Sequence, residues 1–156
     1  MFDYENITEG GKDGKPRLVA FGKYAGIAGM IDCLQGFGQK LLADGYSNPF
    51  LNVPVAYMYQ NLDQARATIR AVAATIEKVG FPKELTPIVF TFTGSGNVTK
   101  GSREIFELLP HEYISAQDLK TLKDDIRTGK RRKNCVYGVL TSAFNMVKKL
   151  NGSLLT

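Results

Sequence analysis

Pro87-Ile88-Val89-Phe90-Thr91-Phe92-Thr93-Gly94-Ser95-Gly96-Asn97-Val98-Thr99-Lys100-Gly101 is the stretch on which the reading of this chain turns. Its first half is β-branched and aromatic, the composition of a buried strand. Its middle is a glycine turn, and its end opens a helical pattern that Pro110 stops. A strand that turns on glycine into a helix leaves free amides and a positive dipole end at the helix start, where an anion can sit. The first glycine, Gly94, allows the tight turn, and the second, Gly96, lets a pyrophosphate approach the backbone. Thr93, Gly94, Ser95, Gly96, Asn97 and Val98 are therefore the candidate cofactor-binding residues.

The spacing departs from the dinucleotide fingerprint in one place. The third glycine belongs at Thr99, and here it comes later, at Gly101. A mononucleotide P-loop fails on the same residues. Counted from Gly96, the second glycine is Gly101, but Ser102 stands where lysine is needed and Lys100 precedes the glycine. An ordinary strand-to-helix turn stays open as the bland alternative.

Outward from this stretch, strands and helices alternate. His111 to Ser115 reads as a second strand, and Ser115 with Asp118 as a capping box. The helix it opens turns Leu119, Leu122 and Ile126 inward and ends at Gly129. Asn134 to Leu140 reads as a third buried strand and Ser142 to Leu150 as a last short helix. This alternation predicts an α/β fold, a Rossmann-like three-layer sandwich on a parallel sheet. Such a site usually places an acid at the tip of the second strand for the ribose hydroxyls. Ser115 stands there instead, which removes a repulsion against a 2′-phosphate. Ser115 is either a ribose-side residue or simply the cap of the next helix.

Toward the amino terminus, Leu62, Ala65, Ile69, Val72, Ile76 and Val79 form one helical stripe. Asn61 with Gln64 caps its start, and Gly80 with Pro82 stops it. Tyr24 to Ala43 is also helical but carries Gly26, Gly29, Gly36 and Gly38, each costing about 1 kcal/mol against alanine. So many glycines predict a helix pressed against other backbone. Arg17 to Phe21 reads as a short buried strand, and 45–60 as an irregular apolar segment lying over a surface, even that of a missing domain.

Composition bounds the rest. The 156 residues are 44% hydrophobic and 22% charged, a globular balance with no run long enough to span a membrane. The net charge of +5 suits an anionic ligand without demanding nucleic acid. Lys130-Arg131-Arg132-Lys133 reads as a solvated turn, with a phosphate or nucleic-acid contact as the alternative. Cys33 and Cys135 read as buried free thiols, and a single histidine, His111, argues against a protein-only zinc site. His111 opens a strand at the end away from a ligand site, so its reading is structural. No nucleophile-base arrangement can be built, and the catalytic set is empty. The acidic start, Met1-Phe2-Asp3-Tyr4-Glu5-Asn6, reads as neither signal nor transit peptide.

Three strings carry a resemblance. They are Phe2-Asp3-Tyr4-Glu5 with Arg17-Leu18-Val19-Ala20-Phe21-Gly22-Lys23-Tyr24-Ala25-Gly26-Ile27-Ala28-Gly29-Met30, then Phe90 to Gly101, then Val136-Tyr137-Gly138-Val139-Leu140. Across nearly its whole length the chain resembles the lysine-ketoglutarate reductase family. That is the amino-terminal half of bifunctional aminoadipic semialdehyde synthase, akin to saccharopine dehydrogenases and more distantly to alanine dehydrogenase. The resemblance implies NADPH as cofactor and an oxidoreductase parent that condenses lysine with 2-oxoglutarate and reduces the imine to saccharopine in the mitochondrial matrix. It implies a fragment of a larger two-domain enzyme, with residues 1–22 ending a preceding domain or forming a linker strand, and 23–156 forming the dinucleotide-binding domain. The family's catalytic lysine and histidine lie in that preceding domain, and a homo-oligomer is a further expectation. Arg17 is similar to the arginine that contacts a substrate carboxylate, a bidentate role; a solvent-facing arginine at a strand edge is the alternative. A non-catalytic Rossmann-like module that has lost cofactor binding is the competing function.

Overall fold

The computed structural model describes residues 3–9 and 17–141. Seven main elements follow one another: α1 (Gly22–Ala43), α2 (Leu62–Val79), β1 (Val89–Thr93), α3 (Asn97–Phe106), β2 (His111–Ile114), α4 (Leu122–Arg127) and β3 (Val136–Thr141). The three strands form one parallel sheet in the order β1-β3-β2, with Phe90 opposite Gly138 and His111 opposite Val136. The chain thus steps from β1 over the β3 position to β2, then returns. With right-handed crossovers, connections that run in opposite directions place their helices on opposite faces.

Side-chain alternation agrees with this. Phe90 and Phe92 on β1 face the aromatic ring of Phe106 on α3, at centroid distances of 5.7 and 5.1 Å. That face also holds Ile27, Ile31 and Leu34 of α1 and Ile69, Val72 and Ile76 of α2. On the other face Ile114, Tyr137 and Val139 pack with Leu122 of α4. The molecule is a three-layer α/β sandwich. Phe106 is fully buried, a burial worth roughly 1.5–3 kcal/mol. Gly138 makes room in this layer, because a Cβ there would stand 2.7 Å from the Tyr113 ring.

The expected α2 stripe is buried at Ala65, Ile69, Val72 and Ile76, while Val79 at the helix end is exposed. Asn61 Oδ1 accepts from the Gln64 amide at 2.9 Å, and Gly80 closes the helix at φ +76°. Of the five α1 glycines, Gly26 and Gly38 carry the closest packing. A Cβ on Gly26 would lie 1.9 Å from the Val98 carbonyl of α3, and one on Gly38 would lie 2.8 Å from the Phe50 backbone. Gly29 and Gly36 have nothing within 4 Å.

Four expectations are corrected. Arg17 to Phe21 is no buried strand: Arg17 makes a single antiparallel bridge to Thr8, and Leu18 and Phe21 are exposed. Most of 45–60 covers this chain's own helices. Phe50 and Val53 are buried, and Asn48 donates to the Gly38 carbonyl at 3.0 Å, leaving Tyr57 and Met58 outside. Cys33 is exposed, while Cys135 is buried as expected. The helix after Ser115 splits into a 3-10 turn (Asp118–Lys120) and the short α4, so Leu119 stays exposed. The helix expected at Ser142 to Leu150 lies outside the described residues.

Candidate functional site

Parallel strands bring their carboxyl ends to one edge, and there the chain leaves an open cleft. Its volume is about 490 Å³, and Gly94, Ser95, Thr99, Lys100, Arg103, Leu140 and Thr141 line it. The floor is made by β1 and β3: the Gly94 amide donates to the Thr141 carbonyl at 2.9 Å, extending the ladder past the last strand pair. Gly94 then takes φ +83°, a left-handed turn that glycine adopts without cost. The chain reverses through Ser95 and Gly96 into α3.

At the start of α3 no side chain caps the helix. Thr99 could have served, but its hydroxyl turns back to donate to the Thr93 carbonyl at 3.1 Å, bracing the turn instead. The first-turn amides therefore keep their donors for another acceptor. Gly96 itself is extended, at φ −73°, with nothing within 4 Å of a built Cβ. Its missing side chain leaves space that the protein does not fill. Lys100 and Arg103 follow on the cleft side of α3, and among the described residues no carboxylate lines the cleft. Arg103 is firmly placed: Nε donates to Tyr113 Oη at 2.9 Å, Nη2 to Glu107 at 2.9 Å, and the guanidinium lies 5.0 Å over the Tyr113 ring. Burial pushes the Tyr113 phenol above its ordinary value.

The helix beneath the site is fixed by a second pair of glycine contacts. A Cβ on Gly101 would fall 1.9 Å from the Lys23 carbonyl of α1, as one on Gly26 would meet α3. Ser102 Oγ donates to the Gly26 carbonyl at 3.0 Å. Glu104 of α3 joins Lys23 of α1 at 2.8 Å and also Arg66 of α2. Those two cations, Lys23 first, hold its carboxyl below the ordinary range. The displaced third glycine thus has a structural occupation: it seats α3 on α1.

Of the sequence-predicted residues, Gly94 and Ser95 line the cleft, and Thr93, Gly96, Asn97 and Val98 form the turn and helix start beside it. Ser115 is not brought there. It follows β2, which β3 separates from β1, and its hydroxyl and amide are engaged with Asp118. Arg17 sits in an exposed ion pair with Glu5 at 2.8 Å. His111 stacks on Phe106 at 5.3 Å, with Nδ1 2.8 Å from the Leu109 carbonyl, a packing role. Three of the four side chains of the basic run pair with acids of the fold: Arg131 bridges Glu112 and Asp118, Lys130 meets Asp125, and Arg132 meets Glu77. Thr99, Lys100, Arg103, Leu140 and Thr141 were missed, although 96, 99–100 and 103 fall on one helical face. Among the described residues no helix is long and apolar enough to cross a membrane, and no group of metal-ligating side chains occurs.

No family model matches the chain. It is 44% identical, over 95% of its length, to alpha-aminoadipic semialdehyde synthase of Arabidopsis thaliana. It is 40% identical, over 97% of its length, to the mitochondrial alpha-aminoadipic semialdehyde synthases of Rattus norvegicus and Mus musculus. The chain spans only 14% of the plant relative and 16% of each rodent one. Along almost all of its residues, this chain is a homologue of one segment of the alpha-aminoadipic semialdehyde synthases.

Proposed function

We propose that this segment is the dinucleotide-binding part of a lysine-degrading oxidoreductase and that its cleft holds NADPH. The observation that carries this reading is the uncapped start of α3, opening beside Gly96 into a cleft lined by cations and, among the described residues, no carboxylate. The pyrophosphate would accept from the first-turn amides of α3, as anions do at helix amino termini. The residues present fit such a group: their donors face it, and the space above Gly96 is empty of protein. When bound, the nicotinamide would supply hydride to an imine formed from lysine and 2-oxoglutarate in the parent enzyme. Groups outside this segment would handle the protons of that reaction. Arg17 would take a substrate carboxylate by exchanging its exposed partner Glu5. A mitochondrial setting is supported by the mammalian relatives, which are mitochondrial synthases.

The competing reading, a module that has lost its cofactor, leans on the displaced third glycine and on the missing acid at the tip of the second strand. Gly101 has a packing reason of its own, which removes the first of these supports. Titrating the purified chain with NADPH while following nicotinamide fluorescence tests the proposal. Saturable binding is the expected result, and a folded chain with no saturable binding would refute it.

A further inference from the structure

The cleft holds two cations more than a pyrophosphate at a helix start requires. Lys100 makes no ion pair among the described residues. Arg103 is a side chain whose position is set from a neighbouring strand. Tyr113 reaches it from β2, and the Tyr113 ring is seated over Gly138 of β3, where any Cβ would collide with it at 2.7 Å. Glu107 takes Nη2 of Arg103 and also accepts from Tyr113 Oη at 2.9 Å. Nη1 appears in none of these bonds and remains to serve another acceptor.

Placement separates Arg103 from the pyrophosphate site. From Asn97 at the helix start to Arg103 the rise is about 9 Å at 1.5 Å per residue. One phosphate cannot use both positions, whereas a dinucleotide bearing a second, separate phosphate can. Dinucleotide folds that bind the unphosphorylated ribose put an acid at the tip of the strand beside the first. Here β3 occupies that place, and its tip is Leu140-Thr141. Among the described residues a ribose phosphate would meet no negative group on the cleft lining.

We propose that Lys100 and Arg103 read the 2′-phosphate on the adenosine ribose and set the preference for the phosphorylated dinucleotide, with Tyr113 as the residue that positions Arg103. This assignment rests on the cleft being the dinucleotide site.

The test compares NADPH with NADH, and 2′,5′-ADP with 5′-AMP, on the 156-residue chain and on Lys100→Gln, Arg103→Gln and Tyr113→Phe. The unmodified chain is expected to favour each 2′-phosphorylated ligand by more than tenfold. Lys100→Gln and Arg103→Gln should each cut that ratio several-fold by weakening the phosphorylated ligand alone. Tyr113→Phe should cut it less, a change that a purely structural tyrosine would not produce. Lys100 is exposed, so its variant keeps the test decisive if an Arg103 variant misfolds. Dinucleotide binding with an unchanged ratio in these variants overturns the assignment and leaves the cleft reading standing. Binding of neither dinucleotide by the unmodified chain overturns both.

Discussion

The glycines at the α1–α3 crossing and the glycine at the turn that starts α3 do opposite things. At the α1–α3 crossing, Gly26 and Gly101 are glycine because a Cβ on either would overlap the backbone of the facing helix, at 1.9 Å from a carbonyl oxygen. At the turn, Gly96 is glycine with nothing around it. The crossing glycines are explained by what the protein puts there, and Gly96 by what it leaves out beside the uncapped start of α3.

The largest effect should come from breaking the crossing. Gly101→Ala forces α3 off α1 against backbone on both sides, and overpacking of this kind costs about 1–3 kcal/mol or more. Urea unfolding should show a loss at the upper end of that range. A loss under about 0.5 kcal/mol, the scatter of a neutral surface change, would mean that the helices do not meet at these glycines. Gly94→Ala should cost less, about 1–2 kcal/mol, because it strains a left-handed turn without a clash. Gly29→Ala should go the other way. Its Cβ meets nothing, so relief of the helix penalty predicts a gain of up to about 1 kcal/mol by the same measurement.

The smallest effect concerns the charges at the crossing. The Glu104 carboxyl is held low by Lys23 and then Arg66 in the folded chain. A lowered folded value contributes stability above the ordinary carboxylate range, and that stability is lost as pH falls through the folded value. Melting midpoints followed from neutral to acid pH should therefore fall less steeply for Glu104→Gln than for the unmodified chain. Parallel acid limbs in the two would show that the ion pairs contribute nothing.

Much of this was legible in the residues. The strand, turn and helix around Gly94 to Gly96, the α2 stripe and the Ser115–Asp118 box are local patterns, and they form where their spacing says. What the residues hid depends on partners distant in the chain. Arg17 to Phe21 has strand composition, but its one bridge is to Thr8, outside the sheet. The order β1-β3-β2 cannot be read from local periodicity, and it decides that Ser115 sits away from the cleft while Leu140 and Thr141 line it. Gly101 looked like a misplaced fingerprint glycine until α1 was seen lying against it. Lys100 and Arg103 were passed over because a cation on a helix is usually a solvated one. Tyr113, arriving from β2, joins Glu107 in giving Arg103 its fixed place.

The central claim is that the turn at Gly96 is vacant so that a dinucleotide phosphate can enter. Gly96→Val tests it most directly, since the substitution suits the backbone and touches no protein atom within 4 Å at Cβ. The account predicts an unchanged thermal midpoint, within about 0.5 kcal/mol of stability, together with NADPH binding weakened more than tenfold, about 1.4 kcal/mol. NADPH affinity indifferent to the valine, in a chain as stable as the original, would contradict it.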